Sequence, residues 1–189
     1  MAAEFDRFVD GIQHALKGDY ERIERILVIG CGSGGECVVL LEAFYRASLL
    51  ACDLNDEAIE LTNRALTNLT NRATANVGNA SELLLTLNVQ FDLIVVRHAN
   101  VDRLPQGWAR AFAVAASRLT DAGYLVATTY TLTEAIFVSS VLERLGLQML
   151  EGSPYSSIPV AMSGADRYIL AYQKYIDLSY LSKGHTGDA

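Results

Sequence analysis

Apolar residues change their spacing several times along the chain, and each change predicts a new element. Spacings of three and four recur from Phe5 to Leu16, which is typical of an amphipathic helix that ends at Gly18. Continuous apolar runs predict instead strands that are buried on both faces. Such runs lie at residues 26–29, 47–54, 75–79, 91–99, 121–130, 147–152 and 167–175.

Helical spacing returns between most of these runs. It predicts helices at residues 34–45, 56–71, 105–119 and 131–145. Asn55 suits an N-cap and Pro105 suits the first turn of a helix. No element is assigned to the residues between Asn79 and Phe91. Because strands and helices alternate until two consecutive strands close the chain, we predict one α/β domain with a mainly parallel sheet.

Composition and charge narrow the class of protein. The 189 residues are 51% hydrophobic and 20% charged, with a net charge of −7 at pH 7, which is typical of a globular domain. Lys and Arg form no run, and this disfavours a nucleic-acid partner, whose phosphates require a basic face. Three cysteines without a CxxC pair disfavour a disulfide framework and a zinc site. No apolar run reaches the length of a membrane span. We therefore expect a cytoplasmic protein that binds no metal.

The segment "ILVIGCGSGGECVVL", residues 26–40, carries the strongest chemical signal. Its glycines follow a strand directly, and ligands of parallel sheets bind beyond the carboxyl ends of the strands. Bare backbone there lets a ligand approach the N–H groups that open the next helix. The following strand ends at Asp53, whose carboxylate can accept hydrogen bonds from both hydroxyls of a ribose. The pattern predicts a nucleoside-containing cofactor, although a tight turn that only packs helix on strand is the structural alternative.

The glycine spacing alone leaves the cofactor open, since it fits both G-x-G-x-x-G of dinucleotide sites and G-x-G-x-G. The segments "ILVIGCGSGG", "LLACDLNDEAIELTNRAL", "VGNASEL", "FDLIVVRHAN" and "LTDAGYLVATTY" together decide between them. In this order they resemble the successive motifs of class I S-adenosylmethionine-dependent methyltransferases, over about residues 20–175. The resemblance implies a three-layer, doubly wound, Rossmann-like fold. Its seven-stranded sheet would be mostly parallel with an antiparallel last strand.

The resemblance also implies S-adenosyl-L-methionine as the cofactor and assigns residues to it. Asp53 would hold the ribose and Leu54 would contact adenine. The side-chain carbonyl of Asn79 would accept a bond from the adenine amino group, and the Ala80 amide would reach a ring nitrogen. The residues implied around the methionine and ribose are Gly30, Cys31, Gly32 and Gly34, with the carbonyls of Gly30 and Arg97 at the ammonium group.

One position departs from the family pattern. Val28 stands where the family usually carries an acid near the cofactor's ammonium group. Loss of one charge-assisted hydrogen bond costs about 1.5–3 kcal/mol. Two alternatives to a methyltransferase therefore stay open: a nicotinamide-dinucleotide oxidoreductase or binding module, and a non-catalytic regulatory protein of the same fold.

Several residues are candidates for chemistry at the acceptor. His98 is the best general base, because an imidazole titrates near neutral pH, but it could equally cap its strand. Arg97 could orient an anionic substrate or be structural, and Tyr130 could line the pocket. Glu134 forms a capping-box pattern with Thr131, which favours a structural role. Trp108 lies at helical spacing with Phe112 and is predicted to be in the core.

The acceptor itself is weakly constrained by the sequence. The acidic balance favours a small-molecule acceptor over a nucleic acid, and a dimer partner could help to close an open cleft. We expect residues 1–20 to form a helix over the cleft, residues 21–176 the catalytic domain, and residues 177–189 a loose tail. The loop at 153–166 is the other segment expected near the cleft.

Overall fold

A computed structural model describes residues 2–16, 19–150 and 167–174. Its centre is a seven-stranded sheet in the order β3-β2-β1-β4-β5-β7-β6. Only β7 runs antiparallel to its neighbours β5 and β6 among the described strands. The predicted fold class is confirmed. The strands are β1 (Arg25–Ile29), β2 (Ser48–Asp53), β3 (Ala73–Val77), β4 (Phe91–Val96), β5 (Leu119–Thr129), β6 (Leu147–Met149) and β7 (Tyr168–Lys174).

Six α-helices cover the two faces of the sheet in the described part of the chain. They are α1 (Ala2–Ala15), α2 (Gly35–Ala43), α3 (Asp56–Ala65), α4 (Ala80–Thr86), α5 (Pro105–Ser117) and α6 (Leu132–Arg144). Two hydrophobic clusters lie on opposite faces, one beneath α1, α2 and α3 and the other beneath α4, α5 and α6. Along β1, Ile26 and Val28 enter the first cluster while Leu27 and Ile29 enter the second. This explains why the strand is a continuous apolar run.

Three element predictions were wrong. Helix α4 was missed because it has only seven residues and begins on an Asn79 cap rather than on an apolar stripe. Helix α3 ends at Ala65 instead of residue 71, and a 3₁₀ turn at Thr67–Leu69 follows it. Leu119 opens β5 instead of closing α5, since Arg118 caps that helix. Apolar spacing alone does not separate the last turn of a helix from the first residue of a buried strand.

The sheet brings the motif residues to one edge. Ile29 at the end of β1 is in register with Cys52 of β2 and with Val96 of β4. The residues that follow these strands, among them Gly30, Asp53 and Arg97, therefore lie side by side. The strand order reverses between β1 and β4, and such switch points are the usual ligand sites of open α/β sheets.

The described residues of the N-terminal segment form α1, which packs against α2 and β7. Its placement over the cleft stays a prediction. The predicted loop at 153–166 and tail at 177–189 lie outside the described residues. In the part of the chain that the structure describes, every helix is too short or too polar to span a bilayer.

Candidate active site

A cavity of ≈ 400 Å³ lies beyond the carboxyl ends of β1, β2, β3 and β4. It is open on one side, and α5 forms its far wall. The residues that line it include seven of those predicted to bind the cofactor. The full lining is Ile29, Gly30, Gly32, Cys52, Asp53, Leu54, Gly78, Asn79, Ala80, Arg97, His98, Leu104, Gly107, Trp108 and Ala111.

The glycines of the β1–α2 loop serve two purposes. Gly30 has a φ of +75°, and a Cβ there would lie 3.0 Å from the carbonyl oxygen of Arg97. Gly34 has a φ of +80°, and its Cβ would meet Thr62 Cα at 2.7 Å. Both positions are bare because the backbone packs closely. Gly32 differs, since a Cβ there would meet nothing within 4 Å, and its backbone lines the cavity.

Asp53 is fixed to this loop by its carboxylate. Oδ2 accepts a hydrogen bond from the Gly32 N–H at 3.0 Å, and Oδ1 accepts one from the Asn55 N–H at 3.0 Å. Each carboxylate oxygen can accept about two hydrogen bonds, so one position on each oxygen is left. That geometry suits the two adjacent hydroxyls of a ribose.

Thr62 of α3 is a site residue that the sequence did not reveal. Its hydroxyl donates to the carbonyl of Gly32 at 2.9 Å and lies 3.5 Å from Cys31 Sγ, and the side chain is fully buried. It anchors the loop from behind, opposite the cavity. One signal in the sequence could have identified Thr62. It lies three residues after Ile59, so its hydroxyl falls on the apolar side of α3, where a polar group needs a partner.

An apolar wall lies on the side of the cavity away from the glycine loop. Leu54 and Leu104 line it with 71% and 66% of their surface exposed, and such exposure of large apolar side chains beside a cavity is typical of a ligand site. Trp108 also lines the cavity, while its ring lies 6.0 Å from that of Phe112. The prediction that Trp108 belongs to the core is thus only half right, and Leu104 was not predicted at all.

Asn79 has a capping role in this structure. Its Oδ1 accepts hydrogen bonds from the backbone N–H of Ser81 at 2.9 Å and from the Ser81 hydroxyl at 2.8 Å. Both lone pairs of the side-chain carbonyl are occupied, so capping competes with the predicted bond to an adenine amino group. Ala80 lines the cavity beside it, and its contact with the cofactor stays a prediction.

The Arg97 side chain is held inside the protein. It is 2% exposed, and its Nη2 lies 2.8 Å from Glu36 Oε1 on the first turn of α2. The guanidinium also stands over the Phe8 ring of α1 at 4.9 Å. This geometry does not support a guanidinium that reaches out to an anionic substrate. The Arg97 carbonyl oxygen lies next to Gly30, and its contact with the cofactor's ammonium group stays a prediction.

His98 has an unusual backbone and a defined tautomer. Its φ is +48°, and its backbone N–H donates to Thr128 Oγ1 at 3.3 Å. Nε2 lies 2.6 Å from Arg97 Nη2, and a guanidinium can only donate. Nε2 therefore accepts, and in the neutral ring the proton sits on Nδ1. Since the basic nitrogen already faces a cation, this arrangement does not support His98 as the general base.

Tyr130 supports His98 from the end of β5. The two rings stack with centroids 5.0 Å apart and an interplanar angle of 13°. The Tyr130 N–H donates to Glu134 Oε2 at 3.0 Å. Glu134 and Thr131 form the complete capping box of α6, as predicted. Tyr130 is not among the residues that line the cavity, but it contacts His98, which is.

The three cysteines are buried around the glycine loop. A hydrogen bond from the Cys37 thiol lowers the pKa of Cys31, and the same bond together with burial raises the pKa of Cys37. Burial raises the pKa of Cys52 to about 12. The Cys31 side chain is 1% exposed and packs in the core, so only its backbone can border a ligand. The described residues contain no cluster of His, Cys, Asp and Glu that could hold a metal ion.

Solved structures share this fold. Magnesium protoporphyrin IX methyltransferase from Synechocystis PCC 6803, with bound SAM, superimposes with a TM-score of 0.67 at 15% identity, over 91% of this chain and 80% of that one. The SAM-bound amino pentose methyltransferase CalS10 from Micromonospora echinaspora gives 0.69 at 13% identity, over 91% and 90%. The O-methyltransferase region of StiE gives 0.60 at 16% identity, and this chain covers 50% of it. At these identities the likeness establishes the fold.

The sequence comparison goes further than the fold. Residues 26–123, more than half of the chain, match the family described as "Methyltransferase domain". A comparison with curated proteins finds no match. The matched residues run from β1 through β5 and so contain the glycine loop, Asp53 and the β4 edge of the cavity. The chain therefore belongs to the methyltransferase domain family, which confirms the predicted family and enzyme class.

Proposed function

We propose that the cavity binds S-adenosylmethionine and that the protein transfers its methyl group to a small-molecule acceptor. The observation that carries the proposal is the Asp53 carboxylate, which is fixed by Gly32 and Asn55 with one acceptor position left on each oxygen. This carboxylate lines the cavity together with the backbone of Gly30 and Gly32. A ribose diol satisfies both positions at once.

The remaining walls fit the rest of such a cofactor. Leu54, Leu104 and Trp108 offer an apolar slot for adenine. The Arg97 carbonyl oxygen lies close to Gly30. We assign the ammonium group to this carbonyl and to that of Gly30. Val28, in the position of the usual acid, is fully buried in the core and supplies no charge. We expect the ammonium group to be bound by these carbonyls, with lower affinity than a carboxylate would give.

When bound, the cofactor supplies an electrophilic methyl group, and the protein's task is positioning. Good orientation of two reactants supplies about 7–11 kcal/mol of a barrier. His98 is well suited to that task because Arg97 holds its ring edge and Tyr130 holds its face. We assign His98 and Tyr130 to shaping the acceptor side of the cavity.

The proposal of a small-molecule acceptor is based on the charge of the protein. A net charge of −7 and the absence of any Lys and Arg run disfavour nucleic acid, whose binding is driven by phosphate contacts. Three buried thiols, all free, fit a reducing compartment such as the cytoplasm. A second copy of the chain is our candidate for closing the open side of the cavity.

Trp108 provides the test, because it is the one tryptophan of the sequence and it lines the cavity. Its fluorescence should change on titration with S-adenosylhomocysteine. Asp53→Ala should weaken binding at least about tenfold, the value of one or more hydrogen bonds to a charged group. Asp56→Ala, which removes the same charge from an exposed position on α3, should leave the affinity unchanged. Equal affinity in the Asp53 and Asp56 variants would contradict the assigned ribose site.

A further inference from the structure

A second cavity, of ≈ 340 Å³, lies at the opposite edge of the sheet, beside the amino ends of β1 and β2. It shares no lining residue with the candidate active site. Three arginines converge on it in a protein whose net charge is −7. The lining residues are Glu24, Arg25, Arg46, Ala47, Ser48 and Arg72.

Arg72 forms a fixed part of this cavity. Its Nη1 donates to the carbonyl of Tyr45 at 2.6 Å and to that of Ala47 at 3.4 Å, and its Nη2 donates to the carbonyl of Leu41 at 3.2 Å. These bonds tie the guanidinium to the end of α2 and to the turn that follows. A guanidinium has five N–H donors, so two of them remain for a ligand.

Arg25 and Arg46 are held less tightly. Both are exposed, and within the described residues neither guanidinium forms an ion pair or a hydrogen bond. Arg46 stands over the ring of Tyr45 at 5.4 Å, which directs it along the turn. The lining holds three guanidinium groups and one carboxylate, that of Glu24. The Asp92 carboxylate lies next to the lining and accepts hydrogen bonds from the backbone N–H groups of Glu24 and Arg25 at 3.0 Å. Positive charge therefore remains in excess at this edge of the sheet.

We propose that this cavity binds the phosphate group of a phosphorylated small molecule, such as a phosphate monoester or a diphosphate. Three guanidinium groups attract a phosphate dianion more strongly than a carboxylate, which carries one charge. The planar forks of arginine suit bidentate contact with phosphate oxygens. A volume of ≈ 340 Å³ accommodates a diphosphate. The site is independent of the cofactor cavity, and the inference does not rest on the proposed function.

Pyrophosphate titration of the ¹⁵N-labelled full-length protein tests this proposal. We expect saturable shifts of the Ala47 and Ser48 amides. The double variant Arg25→Gln/Arg46→Gln should weaken binding at least about tenfold, since it removes two of the three guanidinium groups that can make charge-assisted hydrogen bonds to phosphate. Both side chains are exposed, so the fold should persist, and affinity for S-adenosylhomocysteine should be unchanged.

The matched control is Arg103→Gln/Arg144→Gln, which removes the same charge from exposed positions elsewhere. It should retain wild-type affinity for pyrophosphate. The proposal is overturned if the shifts do not saturate, or if the control weakens binding as much as the test variant. It is also overturned if acetate binds as tightly as pyrophosphate, or if single-stranded RNA binds more tightly.

Discussion

The Arg97 guanidinium donates a hydrogen bond from Nη2 to Nε2 of His98 across 2.6 Å. The same nitrogen pairs with Glu36, so the cation stands between a carboxylate and an imidazole. Because Arg97 has no acceptor, the direction of the bond to His98 follows from chemistry alone. His98 was the best candidate for a general base in the sequence. The hydrogen bond from Arg97 instead favours a structural role for His98 in the wall of the cavity.

We therefore predict that neutral His98 carries its proton on Nδ1. In protein labelled with ¹⁵N-histidine, Nε2 of the neutral His98 ring should give the shift of an unprotonated nitrogen. His98→Gln assigns the signal, and exposed His14 serves as the internal reference for an imidazole in solvent. An Nε2–H tautomer at His98 would contradict the hydrogen bond from Arg97.

Gly34 and Gly146 form a matched pair for the packing of the glycine loop. Their φ values are +80° and +81°, but a Cβ at Gly34 would lie 2.7 Å from Thr62 Cα, whereas one at Gly146 would meet nothing within 4 Å. Gly146→Ala should cost about 1–2 kcal/mol of unfolding free energy through backbone strain alone. Gly34→Ala should cost about 1–3 kcal/mol more, because backbone must move apart.

Urea unfolding of the two variants measures this difference directly. The Gly34 variant should also lose affinity for S-adenosylhomocysteine, while the Gly146 variant should keep it. Equal unfolding free energies of the Gly34→Ala and Gly146→Ala variants would contradict the close packing of α3 against the glycine loop.

A substitution of Glu134 can distinguish a capping role of this residue from a catalytic role. Its carboxylate accepts bonds from the N–H groups of Tyr130 and Thr131 at 3.0 and 2.9 Å, and the side chain is 3% exposed. Glu134→Ala should lower the unfolding free energy by about 1–3 kcal/mol, since buried donors lose their acceptor. Cofactor affinity, measured in folded protein, should be unchanged. A loss of affinity without loss of stability would assign Glu134 to the site instead.

The cysteines should differ in their reactivity towards iodoacetamide. Only the thiolate reacts, and the Cys37 hydrogen bond lowers the pKa of Cys31 while burial raises that of Cys52 to about 12. All three thiols are buried, so iodoacetamide reaches them only through local opening of the structure. As pH rises from neutral, alkylation of Cys31 should begin before that of Cys52. Peptide mapping by mass spectrometry gives the order. Labelling of Cys52 before Cys31 would contradict the assigned hydrogen bond.

The succession of strands along the chain and the edge that carries the site could be predicted from the sequence. Buried parallel strands have continuous apolar runs, and glycines and Asp53 follow two of them directly. The matching register of Ile29 with Cys52 and Val96 was then enough to bring Gly30, Asp53 and Arg97 together.

Contacts between side chains distant in sequence could not be predicted in this way. Glu36 and Arg97 are 61 positions apart and pair only after α2 packs beside β4. Thr62 reaches the glycine loop across 30 residues. Trp108 lies on α5 and Leu104 caps it, and which side of this helix faces the cavity depends on how α5 packs on the sheet. Spacing identifies the apolar face of a helix but does not decide whether a core or a ligand covers it.

Calorimetric titration of the purified protein with S-adenosylmethionine, S-adenosylhomocysteine and NAD, side by side, tests the central claim most directly. We predict that both adenosyl compounds bind at one site per chain, with dissociation constants on the order of micromolar, about −8 kcal/mol. NAD should give no binding heat. Binding of NAD alone, or no binding by either adenosyl compound, would contradict the proposed site.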